Sequence, residues 1–196
     1  RLFDLFINAL QDKDADVKNE AIAGLAKMAD KRAVPYLEKI IQAPHTNKVG
    51  KVAALKALYQ IQGDGVLAVA LNERANSYPE IRRVVFSILA QIDKFEPIRA
   101  LIYASNDADP LARIIVFSRL SEKIDDGPAM ANLIVEQLHK EVDNSVKLAY
   151  LNALAVSASR VAQETIKGFL ESKVLELKEA ALWLSKDNLD KVSAQK

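Results

Sequence analysis

The sequence predicts an all-α chain built from stacked helix pairs. Three observations predict it: a pattern that returns about every 31 residues, apolar residues at helical rather than strand spacing, and turn residues at the seams between copies. The clearest copy runs Asp16-Val17-Lys18, then Ala21, Leu25, Asp30, Ala33-Val34-Pro35 and Leu37. Counterparts of Val17 fall near Gly50, Ile81, Ala112, Val146 and Glu176, at steps of 33, 31, 31, 34 and 30 residues. A unit of that size buries its apolar face only against its neighbours, so the repeats must stack.

Taken in order, residues 2–11 carry Leu2, Phe3, Leu5, Phe6, Ile7 and Leu10 and read as the second helix of a pair whose first helix is missing. Residues 17–28 set Val17, Ala21, Ile22, Leu25 and Met28 on one face, an amphipathic helix that Asp14 or Asp16 can cap by accepting from unpaired backbone N–H groups. Asp30 opens the partner helix, Pro35 falls in its first turn where a lost N–H costs little, and Leu37, Ile40 and Ile41 form its buried stripe. Further pairs are expected at 50–61 and 65–74, 80–92 and 96–104, 111–124 and 128–139, and 144–158 and 161–171. Between them lie Gly63-Asp64-Gly65, Ser77-Tyr78-Pro79, Asn106 to Pro110 and Asp125-Asp126-Gly127-Pro128. Val85-Phe86-Ser87-Ile88-Leu89 and Val116-Phe117-Ser118-Arg119-Leu120 are adjacent copies of one helix stretch. Residues 174–185, with Leu175, Leu177, Leu182, Trp183 and Leu184, read as a first helix with no successor. The expected organisation is one repeat domain over 1–185, about five helix pairs with an unpaired helix at each end, followed by a polar tail over 186–196.

Composition bounds the function. Half the residues are hydrophobic, and Lys plus Arg (27) nearly balances Asp plus Glu (26). A nucleic-acid binder draws its affinity largely from excess cations against phosphate, so the balance argues against one. Without cysteine there is no disulfide, thiolate metal site or cysteine nucleophile, which suits an intracellular, cytoplasmic setting without fixing one. No apolar run reaches the length of a membrane span.

The copy from Asp16-Val17-Lys18 to Leu37 resembles a HEAT repeat of the type found in phycobilisome-lyase-like proteins, whose motif has Asp before a Val-Arg pair, an Ala-rich helix, then Asp and Ala-Val-Pro-x-Leu. The match is strong over roughly 14–42 and degenerate elsewhere; the copy near Gly50 lacks the Val-Arg pair. The resemblance implies a right-handed armadillo-like superhelix with first helices outside and second helices lining a groove. It also implies that the row Lys18, Lys51, Arg82, Arg113 and Lys147, with Asp16, Glu80, Asp109 and Asp143 nearby, pairs between neighbouring repeats, the alternative being a basic row facing a ligand.

Catalytic groupings are scarce. His45 and His139 stand alone, with no second ligand at metal spacing, and Asp125-Asp126 reads as a cap in a turn. Neither the His-Glu pairs of HEAT-type di-iron hydroxylases nor the basic aromatic groove of HEAT-type glycosylases is present. Trp183 is expected to pack. Gly24 and Gly168 sit inside helices at about 1 kcal/mol each relative to alanine, for which close helix packing is the expected reason. No enzyme activity, metal or cofactor is expected.

The groove face follows from the register of the clearest second helix: Pro35, Lys39 and Gln42 oppose its buried stripe. Carried forward, that register selects Gly65, Val69 and Asn72; Glu96, Ala100 and Tyr103; Pro128, Asn132 and Val135; Glu164, Gly168 and Glu171. Lys39, Val69, Tyr103, Asn132 and Val135 are the candidate partner contacts, with Tyr103 as an anchor for an amphipathic helix or extended peptide. The same valines could instead meet a neighbouring helix. The expected function is a non-catalytic protein-interaction scaffold, part of a larger protein. Alternatives are an accessory module of a bilin-lyase-type or other enzyme system, and a HEAT-like nucleic-acid-binding module. The apolar terminal helices allow self-association.

Overall fold

The computed structural model describes residues 1–92, 102, 104–122, 128–157 and 159–194. These are helical, with no strand among them, and they fall into two compact units, 1–100 and 101–196.

In the first unit, helices α1 (Leu2–Ala9), α2 (Ala15–Met28), α3 (Val34–Gln42), α4 (Lys48–Gln62), α5 (Leu67–Glu73) and α6 (Pro79–Gln91) form two layers. Helices α2, α4 and α6 pack in sequence, while α1, α3 and α5 pack on α2, α4 and α6 respectively. The caps are those the sequence offers. Asp14 accepts from the Asp16 N–H at 2.8 Å to start α2, and Pro35 lies in the first turn of α3. Asp30 accepts from the Arg32 N–H at 2.9 Å, starting a 3-10 turn (Lys31–Ala33) that leads into α3. Helix α4 is covered from several sides, and its Ala54, Leu55 and Leu58 are fully buried. The alanines keep neighbouring backbones close; the leucines fill the space between layers. Ala21, Ile22 and Leu25 of α2, Leu37 and Ile41 of α3, and Ile81, Val85, Phe86 and Leu89 of α6 complete that core.

The second unit holds α7 (Pro110–Ser121), α8 (Pro128–Lys140), α9 (Asn144–Leu154), α10 (Arg160–Gly168), a 3-10 turn (Phe169–Glu171) and α11 (Leu175–Ala194). Helices α7, α9 and α11 pack in sequence; α8 and α10 form the second layer and touch each other. Its core is Val116 and Phe117, Ala131 and Ile134, Tyr150 and Leu151, Ile166, and Leu177 with Ala181. The Phe117 and Tyr150 rings pack together, tilted by 52° with centroids 4.0 Å apart.

The first and second helices expected from the repeat pattern are therefore present wherever the structure describes them. The second helix expected at 96–104, with Tyr103, Glu96 and Ala100, lies outside the described residues apart from 102 and 104, as does the Asp125–Gly127 turn. Three expectations are corrected. The last helix, expected to end near 185 before a polar tail, continues to Ala194. The helix expected at 161–171 changes hand-hold at Gly168 and finishes as a 3-10 turn. Trp183 does not pack: it is 65% exposed, and Leu177, Ala181 and Leu184 bury α11 instead.

Candidate functional site

The charged row has mainly structural roles. Arg113 donates through Nε to Glu141 Oε2 at 2.7 Å and through Nη2 to Glu141 Oε1 at 2.8 Å, joining α7 to the turn after α8. Its Nη1 donates to the Asp107 carbonyl at 2.6 Å, six residues back. Arg82 does the same, donating to the Asn76 carbonyl at 2.8 Å. One repeat position thus clamps the turn ahead of its own helix in both units. Pairing between repeats occurs in the first unit as well, but Lys48, not Lys51, meets Glu80. Asp143 does not reach a neighbouring repeat's lysine; it caps α9, accepting from the Ser145 and Val146 N–H groups at 2.9 and 3.2 Å.

The Arg113–Glu141–Tyr150 cluster is the most buried set of ionisable groups described. Burial alone would raise the Glu141 pKa. The Arg113 hydrogen bonds and the N–H groups of Asp143 and Val142 more than offset it and hold the carboxyl below the ordinary glutamate range. Tyr150 is pushed up, by burial first and then by the Glu141 charge. At neutral pH the carboxylate stays charged with its oxygens occupied and the phenol stays protonated. This geometry locks a turn in place and provides no poised acid or base.

A polar cleft of about 280 Å³ opens beside this cluster, with Asn106 and Lys140 also in its lining, and a more apolar concave surface lies elsewhere. Between α8 and α10 is an open cleft of about 630 Å³. Its floor is apolar, from half-buried Val135 and Phe169 with Val161, and its rim carries exposed Glu164 and Glu171 with His139. Arg160 Nε donates to Glu164 Oε1 at 2.6 Å, which holds that carboxylate at the rim. A smaller cleft of about 240 Å³ lies among α2, α3 and α4, beside Lys18, His45 and Asn47; Asn47 Oδ1 is engaged there by the Gly50 N–H at 2.8 Å.

Of the residues that the groove register selects, the structure brings Val135, Glu164, Gly168 and Glu171 together in the α8–α10 cleft. Asn132 is exposed one turn before Val135 and does not line it. In the first unit Lys39 is exposed on α3 and Val69 is half-buried on α5. The register missed Val161, Thr165 and Phe169, although their four-residue spacing marks them as one face of the α10 segment. A second exposed apolar surface lies on α11, where Leu175, Leu182 and Trp183 fall on one face, and a third on α1 at Leu2 and Leu5. Among the described residues no group of acidic or histidine side chains is arranged to hold a metal, and no helix is long and apolar enough to cross a membrane.

Residues 3–73 match the family model for HEAT repeats. Three solved structures are similar over most of this chain. One is the complex of CpcE and CpcF of phycocyanin lyase from a Nostoc species, at 18% identity over 77% of this chain and 96% of that one, with a TM-score of 0.58. Another is a designed armadillo repeat protein, at 13% identity over 95% and 99%, with a TM-score of 0.56. The third is an engineered protein, at 18% identity over 96% and 96%, with a TM-score of 0.57. No curated protein matches the chain. At these identities the likeness shows the fold, that of armadillo and HEAT repeat solenoids, and the HEAT resemblance read from the sequence holds over residues 3–73.

Proposed function

Starting from HEAT-type repeats and the exposed faces of their second helices, we propose that this chain is a non-catalytic scaffold that docks a partner protein through those faces. The α8–α10 cleft carries the reading, because an apolar floor inside a polar rim gives an incoming side chain area to bury and groups to orient it. Lys39 and Val69 in the first unit, and Asn132 and Val135 in the second, are the contacts assigned to docking, with Tyr103 as a further one. Retention of proteins from an extract of the source cells by immobilised wild-type chain, compared with Val69→Asp and Val135→Asp, tests it. Loss of specific bands with unchanged helicity is expected. An identical set retained by both variants would place docking elsewhere.

A second mode is favoured by a specific observation. Leu175, Leu182 and Trp183 are 66%, 50% and 65% exposed on α11, and Leu2 and Leu5 are 56% and 62% exposed on α1. Apolar faces of this kind associate, and two copies of the chain could cover them.

A further inference from the structure

The docking reading can be deepened at one glycine. Glycine is needed in or beside a helix where the backbone takes positive φ or where a neighbour leaves no room for Cβ. Gly63 meets the first condition at φ +54°. Gly24 meets the second, since a Cβ there would stand 2.4 Å from Phe6 Cζ. Gly168 meets neither. It closes α10 at φ −56° and ψ −28°, which any residue adopts, and no atom lies within 4 Å of a Cβ built on it. The expectation that Gly168 serves close helix packing is therefore overturned. This exposed position lies in the wall of the α8–α10 cleft, and its missing side chain leaves the backbone open to approach from outside.

The surroundings specify what approaches. Val161 is 43% exposed and joins Val135 and Phe169 in an apolar floor, while Glu164 and Glu171 are carboxylates on the rim. Among the described residues no lysine or arginine lines the cleft, although Arg160 reaches Glu164 from beside it. We propose that the cleft seats a basic amphipathic segment of a partner protein: apolar side chains on the floor, a small residue or backbone against Gly168, and Lys or Arg beside Glu171. Apolar area supplies the affinity and Glu171, the rim carboxylate that Arg160 does not hold, sets the partner's charge. This rests on the docking reading above.

The test is selection of a displayed library of random peptides, each about 16 residues, against the full chain. Enriched peptides are then titrated on wild type, Gly168→Leu, Glu171→Lys, Val69→Asp and Val49→Asp by fluorescence anisotropy. A Cβ at 168 meets nothing within 4 Å and leucine favours a helix over glycine, so the melting temperature of Gly168→Leu should be no lower than wild type. The expected result is a consensus of spaced apolar residues flanked by Lys or Arg. Binding should be about tenfold weaker or worse on Gly168→Leu, weaker on Glu171→Lys, and unchanged on Val49→Asp, an exposed first-helix position outside the docking face. Peptides without basic residues, or with full affinity for Gly168→Leu, would overturn the proposal. If affinity is lost only on Val69→Asp, docking through second helices stands and the assignment to this cleft falls. A library that yields no binder counts against both.

Discussion

Arg113 and Glu141 form a two-pronged ion pair, at 2.7 and 2.8 Å, whose side chains are only 13% and 4% exposed. Twenty-eight residues apart, they fasten the start of one repeat to the start of the next. Removing one partner of a buried pair strands the other charge, so Glu141→Gln should cost about 3 kcal/mol, read as a lowered melting temperature. Replacing both, as Arg113→Met with Glu141→Leu, should recover part of that loss.

The same pair sets an acid dependence. Glu141 is held below the ordinary glutamate range in the folded chain, because the Arg113 and backbone hydrogen bonds outweigh burial. In the window between the folded and unfolded values, the unfolded chain binds more protons. The stabilisation is therefore complete above that window and is lost as pH falls through it. Melting temperature should drop more steeply with acid in wild type than in Glu141→Gln. Parallel profiles would contradict the assignment.

Two helical glycines should respond to alanine in opposite directions. At Gly24 the new methyl group meets the Phe6 ring at 2.4 Å, and overpacking costs of about 1–3 kcal/mol outweigh the gain in helix propensity. At Gly168 nothing is met, so Gly168→Ala should gain up to about 1 kcal/mol. Thermal unfolding of both variants separates packing from propensity.

Caps give a third series. Asp14 accepts one N–H ahead of α2 and Asp143 accepts two ahead of α9. Each change to alanine should cost about 1 kcal/mol, with the Asp143 variant the more affected. Chemical denaturation with an unchanged slope would confirm an effect on stability alone.

Trp183 is the only tryptophan and is 65% exposed, which makes it a direct reporter of self-association. If the α11 face pairs with another copy, its emission should shift to the blue as concentration rises. Leu182→Asp should abolish the shift. Red emission at every concentration would rule out this face as the contact.

Much of the fold was legible because stacking imposes a period. Val85-Phe86 and Val116-Phe117 recur at one interval and are buried alike, and Asp14, Pro35 and Asp143 mark helix starts by local chemistry. Trp183 shows where that reading stops. Helix α11 carries two apolar stripes, Leu177-Ala181-Leu184 and Leu175-Leu182-Trp183, and periodicity does not say which one meets the core. The groove register placed Val135, Glu164, Gly168 and Glu171 on one face because second helices repeat their orientation. It missed the floor at Phe169, where the helix tightens to a 3-10 turn and shifts the angular position of later side chains. Ion-pair partners were legible in kind but not in identity, since Lys48 and Lys51 lie a turn apart and either can reach across a seam.

The most direct test of docking through the second helices is photo-crosslinking from single positions. A benzophenone side chain at Val69 or Val135 should yield adducts with the partner in cell extract, whereas one at Val49 or Leu111, exposed on first helices, should not. Adducts confined to Val49 and Leu111 would contradict the account.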